Sequence, residues 1–289
     1  MSEIAVIGAG GIGTVLAAAF ADAGHRVTVC ARSANAPLRL ERDGASRALG
    51  VPVVDDPSEA RHAEWVLLCT KAHQTATVGP WLERTCTPAT TVVVCQNGID
   101  HRERLAGLGG PADILPALVY IAAERTALGL VRHRRGRHLV VPADRSGERF
   151  AALAPRGVDV RTETDFTTAA WRKLLTNIAA NPITALTGQR MAVFGRAQIR
   201  HLAVTLLREA VAVGIAEGAS LGEEDVSRTL AFYDRFGEED GTSMLYDRLA
   251  GRALEHEPFN GAVTRLGARH GIPTPANQAI YAVLDAIAA

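Results

Sequence analysis

An α/β protein is predicted, with an N-terminal doubly wound parallel sheet followed by a mostly α-helical C-terminal domain. Three observations carry this. Short β-branched runs alternate with helical patterns through the first half, the first of these runs leads straight into a glycine turn, and beyond residue 165 helical periodicity takes over. The domains are accordingly drawn as 1–165 and 166–289.

Ile4-Ala5-Val6-Ile7 reads as the first strand, Gly8-Ala9-Gly10-Gly11-Ile12-Gly13 as the turn after it, and Thr14 to Phe20 as the helix that continues it. A G-x-G-x-x-G turn between a strand and a helix marks a dinucleotide-binding, Rossmann-type unit. Gly8 permits the tight turn, Gly10 lets the backbone approach a pyrophosphate, and Gly13 lets the helix pack on the strand. The free amides and positive dipole end of the helix face the phosphates. Val27 to Cys30 is the next strand. It runs into Ala31-Arg32-Ser33 with no acid to accept from the ribose 2′-hydroxyl of NAD, whereas Arg32 can grip a 2′-phosphate through paired charge-assisted hydrogen bonds. NADP is therefore the expected dinucleotide; as a solvated loop cation, Arg32 would leave the preference open.

Trp65 to Cys69 and Thr91 to Cys95 complete the clearest strands, and they deliver Thr70-Lys71-Ala72 and Gln96-Asn97-Gly98 to the carboxyl edge where such sheets bind ligands. Lys71 could reach cofactor phosphate or ribose, and Asn97 could donate to cofactor or substrate. Residues 114–141 and 158–161 read as further strands that end the sheet in antiparallel pieces. The basic run Arg132 to His138 is read as a solvated hairpin tip, since it lacks the aromatics that stack on bases.

Helical patterns then cover 167–186, 197–217, 223–236, 243–250, 260–270 and 276–287. The acidic loop Gly237-Glu238-Glu239-Asp240-Gly241 precedes a helix capped by Thr242 or Ser243. Within the first helical stretch Lys173, Asn177 and Asn181 fall four apart, on one face, flanked by Leu174, Leu175 and Ile178. A polar stripe inside an apolar helix suits a cleft lining, and a cleft between the two domains is where substrate should meet cofactor. Lys173, partly desolvated, could protonate or polarise a carbonyl oxygen as hydride reaches its carbon, with the Asn amides orienting it.

With 47% apolar and 21% charged residues the chain is an ordinary globular one, and 31 basic residues against 31 acidic ones leave no bulk field for nucleic acid or membrane. Cys30, Cys69, Cys86 and Cys95 stand singly, without C-x-x-C spacing, and suggest neither a metal site nor a disulfide framework. The first strand begins at the third residue, leaving no room for a signal peptide, and no apolar stretch approaches a membrane span, so a cytoplasmic location is expected. A homodimer through the helical domain is compatible with this composition.

The Gly8–Gly13 turn, Thr70-Lys71-Ala72, Asn97-Gly98, Trp171-Arg172-Lys173-Leu174 with Asn177 and Asn181-Pro182, then Ser243-Met244 and Glu255 ahead of Asn260-Gly261 together resemble the ketopantoate reductase family, in order and over nearly the whole chain. The resemblance implies an NADPH-dependent reduction of 2-dehydropantoate to (R)-pantoate on the route to pantothenate and coenzyme A. It further implies that Lys173 is the general acid and that Glu255 contacts the substrate's hydroxyl end. Ser243 would then bind the substrate carboxylate, Asn97, Asn177 and Asn181 would be the site asparagines, and Arg32 with Lys71 would hold the 2′-phosphate side of NADP. Glu257 competes with Glu255 for the acid's role, and spacing to Asn260-Gly261 favours Glu255. Two stretches depart from the pattern: Asp240 replaces an Asn found in some relatives, which would set a carboxylate beside the substrate's own, and Thr187-Gly188-Gln189-Arg190-Met191 lacks an expected Asn.

Two other functions fit the same fold. One is a paralogous reductase of another 2-oxo acid or an imine. The other is a non-catalytic NADP-binding sensor, which would have no use for the Lys173, Asn177, Asn181 and Glu255 set.

Overall fold

Strand β1 (Glu3–Ile7) buries Ile4 and Val6 on one face and Ala5 and Ile7 on the other, which is why its apolar run is unbroken. The computed structural model describes every residue except 34–35, 109–111, 238 and 289; Glu238 of the acidic loop therefore lies outside the described residues. The chain divides into two compact units, residues 1–97 with 101–166 and residues 98–100 with 167–289.

In the first unit β1 leads into α1 (Gly11–Asp22) and then β2 (Arg26–Cys30), β3 (Arg39–Arg42), β4 (Ala45–Ala48), β5 (Val53–Val54) and β6 (Trp65–Leu68). Next come α2 (Gly79–Thr85), β7 (Thr91–Val94), α3 (His101–Arg104), β8 (Asp113–Pro116), β9 (Leu118–Ala127), β10 (Leu130–Pro142), α4 (Arg145–Ala151) and β11 (Asp159–Glu163). Six strands form a parallel sheet in the order β5-β2-β1-β6-β7-β8, with β1 between β2 and β6. Phe20, Trp65 and Phe150 fill one face, and Trp81 and Leu82 lie on the other.

The antiparallel pieces do not end this sheet, as expected from the sequence; its edge is the parallel β8. They belong to a second sheet, β11-β10-β3-β4, with β9 antiparallel to β10 and β11 parallel to it. Nor is Arg132–His138 a hairpin tip. It lies within β10, and the turn falls at Leu128-Gly129, where Gly129 has φ 69°. Pairing explains how so basic a run enters a sheet: Arg132 bonds Glu41 at 2.7 Å, and Arg134 pairs with Glu124. The β3–β4 hairpin was not foreseen, although Asp43-Gly44, both left-handed, is a recognised hairpin signal.

The second unit is helical: α5 (Phe166–Ile178), α6 (Ala180–Thr187), α7 (Ala197–Ala216), α8 (Glu223–Tyr233), α9 (Ser243–Leu249), α10 (Ala262–His270) and α11 (Pro275–Ala288), with a π turn at Glu257–Gly261 before α10. Trp171, Leu175, Leu207, Phe259 and Leu284 centre its core. The expected single helix over 167–186 is in fact α5 and α6, separated at Ala179. Pro182 is the reason: it has no N–H for the Ile178 carbonyl, which accepts instead from Asn260 Nδ2 at 3.1 Å. Among the described residues no helix is long and apolar enough to cross a membrane.

Candidate active site

The glycine turn is held by its own lack of side chains. A Cβ on Gly13 would stand 1.9 Å from the Gly8 carbonyl oxygen, and Gly8 itself has φ 112°. Gly11 is enforced differently, by the β9 backbone, since its Cβ would meet the Ala123 oxygen at 2.5 Å. At Gly10, by contrast, nothing lies within 4 Å of a Cβ position. The one open glycine is thus the one expected to admit a pyrophosphate, and the turn fits a dinucleotide. Ala9 and Ile12 pack against the core below. The Gly8 amide donates to the Cys30 carbonyl at 2.8 Å, which sets the turn beside the end of β2, and Arg32 follows two residues later, exposed.

Beyond β6 and β7 the chain leaves the sheet at the same edge. Cys69 and Cys95 sit side by side there, and their hydrogen bond, with burial, holds the Cys69 thiol well above its usual range. Burial alone pushes Cys30 up to about 12. Lys71 is half-buried and Gln74 Oε1 accepts from its amide. The Asn97 carbonyl accepts from Arg104 Nη2 at 3.1 Å.

In the second unit Lys173 and Asn177 share a face of α5, one turn apart. Burial lowers the Lys173 pKa from 10.5 to about 8, against an opposing pull from the nearby Glu255 carboxylate. Glu255 is 6% exposed and follows the buried Leu254 on the approach to the π turn. Glu257 is differently engaged, bonded to Arg265 at 2.7 Å and to the Tyr281 hydroxyl. Of the two acids, Glu255 is the one electrostatically coupled to Lys173.

The stripe continues across the α5–α6 break, because Asn181 Nδ2 donates to Asn177 Oδ1 at 3.1 Å. Asn181 Oδ1 in turn accepts from Ser243 Oγ at 3.1 Å and from the Met244 amide at 3.2 Å. The cap of α9 is Thr242, whose hydroxyl accepts from the Leu245 amide and meets Thr184 Oγ1 at 2.6 Å. Asp240 turns back into its own loop, accepting from the Gly237 amide at 2.9 Å.

Two supporting residues carry no signal in the sequence: Gln96 Nε2 donates to the Lys71 carbonyl at 3.5 Å and Arg104 Nη2 to the Asn97 carbonyl at 3.1 Å.

Comparison with known proteins places these features in context. The model described as "Ketopantoate reductase PanE/ApbA" matches residues 4–147, and that described as "Ketopantoate reductase PanE/ApbA C terminal" matches residues 165–288. The 2-dehydropantoate 2-reductase of Caulobacter vibrioides is 37% identical, over 100% of each chain. That of Mycobacterium tuberculosis is also 37% identical, over 98% of this chain and 97% of the relative. Among solved structures, a PanE/ApbA family ketopantoate reductase from Ralstonia eutropha superposes with a TM-score of 0.90 at 29% identity, covering 98% of this chain and 97% of the other. The dimeric ketopantoate reductase from Staphylococcus aureus gives 0.88 at 27%, with the same coverage.

Proposed function

The chain belongs to the ketopantoate reductase family, and from that premise we propose that it reduces 2-dehydropantoate to (R)-pantoate with NADPH, in the synthesis of pantothenate and coenzyme A. The observation that carries the reaction is Lys173, a lysine whose pKa lies at about 8 beside the buried Glu255. An acid of that strength is largely protonated at neutral pH and still gives up its proton readily.

NADPH, when bound, supplies a hydride to the keto carbon. The Gly8, Ala9, Gly10, Gly11, Ile12 and Gly13 turn is proposed to hold its pyrophosphate, with Arg32 and Lys71 on the 2′-phosphate side and Asn97 beside the reacting pair. Lys173 Nζ donates its proton to the keto oxygen, so that C=O becomes CH–OH and the lysine is left neutral until solvent reprotonates it. Glu255 favours the charged ammonium before the step and accepts from the substrate's hydroxyl end. Asn177 and Asn181 orient the oxo acid, and the Ser243 hydroxyl turns from Asn181 Oδ1 to donate to its carboxylate. This division makes residues 166–289 the substrate and catalytic part and residues 1–165 the nucleotide part. A cytoplasmic location and a homodimer, the assembly named for the Staphylococcus aureus relative, accompany the proposal.

The test follows NADPH absorbance with purified protein and 2-dehydropantoate beside a panel of other 2-oxo acids. Oxidation with 2-dehydropantoate in clear preference is expected. Preference for another acid would keep the chemistry and change the substrate, and tight NADPH binding without oxidation by any acid would make the protein a sensor.

A further inference from the structure

The backbone ladder between β6 and β7 ends with the Cys95 amide donating to the Leu68 carbonyl at 2.9 Å. Past that point the two loops need another tie, and the side chain of Gln96, 5% exposed, provides it. Its Nε2 donates to Thr70 Oγ1 and to Thr75 Oγ1, each at 3.0 Å, which fastens both ends of the segment carrying Lys71. Its Oε1 accepts from Arg104 Nη1 at 3.0 Å, while the second arm of the same guanidinium donates to the Asn97 carbonyl at 3.1 Å. His101 Nε2 lies 2.9 Å from the Gln96 carbonyl and pins the backbone from α3.

We propose that Gln96 and Arg104 form a positioning clamp that fixes the Lys71 loop and Asn97 together for nucleotide and oxo-acid binding. The proposal rests on the reading above, in which Lys71 meets the nucleotide and Asn97 the reacting pair. The residue types follow from the task. A carboxamide offers donors to one loop and an acceptor to the fork, which a carboxylate cannot do. A guanidinium spans two acceptors in a fixed geometry, which an ammonium does not.

The test uses the full chain and four variants, Lys71→Ala, Arg104→Met, Gln96→Glu and the double Lys71→Ala with Arg104→Met. NADPH dissociation constants are measured by fluorescence titration, together with KM for 2-dehydropantoate, kcat and melting temperature. Arg104→Met is expected to raise both the NADPH dissociation constant and the oxo-acid KM about three- to tenfold, less than the loss of a direct charged contact, because Arg104 acts through the two loops. Gln96→Glu keeps acceptors for Arg104 and the Thr75 hydroxyl and loses the amide that donates to Thr70 and to the Lys71 carbonyl, so it weakens NADPH binding and leaves the oxo-acid KM in place. The double variant binds NADPH no more weakly than Lys71→Ala alone, because the clamp acts through that loop.

Additive losses in the double variant would overturn the clamp. So would unchanged NADPH affinity in a folded Arg104→Met protein whose Lys71→Ala counterpart is weakened. Unchanged affinity in Lys71→Ala would overturn the reading of Lys71 itself, and the clamp with it. Arg104 is only half-buried, so its substitution decides the matter even where Gln96→Glu fails to fold.

Discussion

The side-chain oxygen of Asn181 receives the Ser243 hydroxyl at 3.1 Å while also capping the Met244 amide at 3.2 Å. One buried carboxamide therefore ties the first turn of α9 to α6 and fixes where Ser243 points. Asn181→Ala is expected to raise the oxo-acid KM about tenfold, the effect of losing roughly 1.4 kcal/mol of binding, and to leave the NADPH dissociation constant unchanged. Adding Ser243→Ala should cost little more, since the two residues act as one unit. An equal loss of NADPH affinity would contradict this arrangement.

Lys173 must be protonated to act as an acid. With its pKa at about 8, kcat/KM for 2-dehydropantoate should be level at neutral pH and fall as pH rises through that value. Glu255 pulls this pKa upward, so Glu255→Gln should move the falling limb to lower pH as well as slowing turnover. A limb that stays in place would show that another group controls it.

The same burial carries a stability cost of known sign. The folded pKa of about 8 lies below the ordinary 10.5, so under pH 8 the folded state holds a charge in a desolvated place that the unfolded chain solvates freely. Between 8 and 10.5 the folded state sheds that proton first, and stability rises with pH. Lys173→Met should therefore lack this rise, its stability changing less than the parent's between pH 8 and pH 10.5. Denaturant melts at the two pH values test this.

Gly10 and Gly13 should fail differently. A methyl group at Gly13 meets the Gly8 carbonyl at 1.9 Å, and one at Gly10 meets nothing within 4 Å. Gly13→Ala is expected to unfold at lower temperature. Gly10→Ala should melt like the parent and lose NADPH affinity at least tenfold, because the open space is the nucleotide's. Normal NADPH binding by Gly10→Ala would move the pyrophosphate elsewhere.

Arg32 stands exposed beyond β2. Arg32→Ala should weaken NADPH by about ten- to a hundredfold, the loss of a charge-assisted phosphate contact, and leave NADH binding almost unchanged. A titration with both nucleotides reads the ratio directly.

The parts of the molecule that could be read from the chain are those whose cause is local. The glycine turn declares itself through spacing, and Lys173, Asn177 and Asn181 through a helical period that survives the break at Ala179. What stayed hidden depends on partners far along the chain. Ala45–Ala48 is exposed throughout and has no apolar alternation to betray a strand. Arg132 to His138 enters β10 in part because Glu41 and Glu124 neutralise two of its arginines. Asn260 makes good a hydrogen bond that Pro182 cannot form, across 78 positions of sequence, and no window of neighbouring residues contains both.

The pairing of β3 with β10, Leu40 beside Val131, has a consequence for synthesis. At ribosomal speeds of ~5–20 residues per second, the β3–β4 hairpin waits on the order of ten seconds for its neighbour to emerge. During that interval its open edge is free to associate with other nascent chains. Expression at lowered temperature or with a holdase chaperone should therefore improve the soluble yield of the full chain, while fragments cut between β4 and β10 should collect in inclusion bodies.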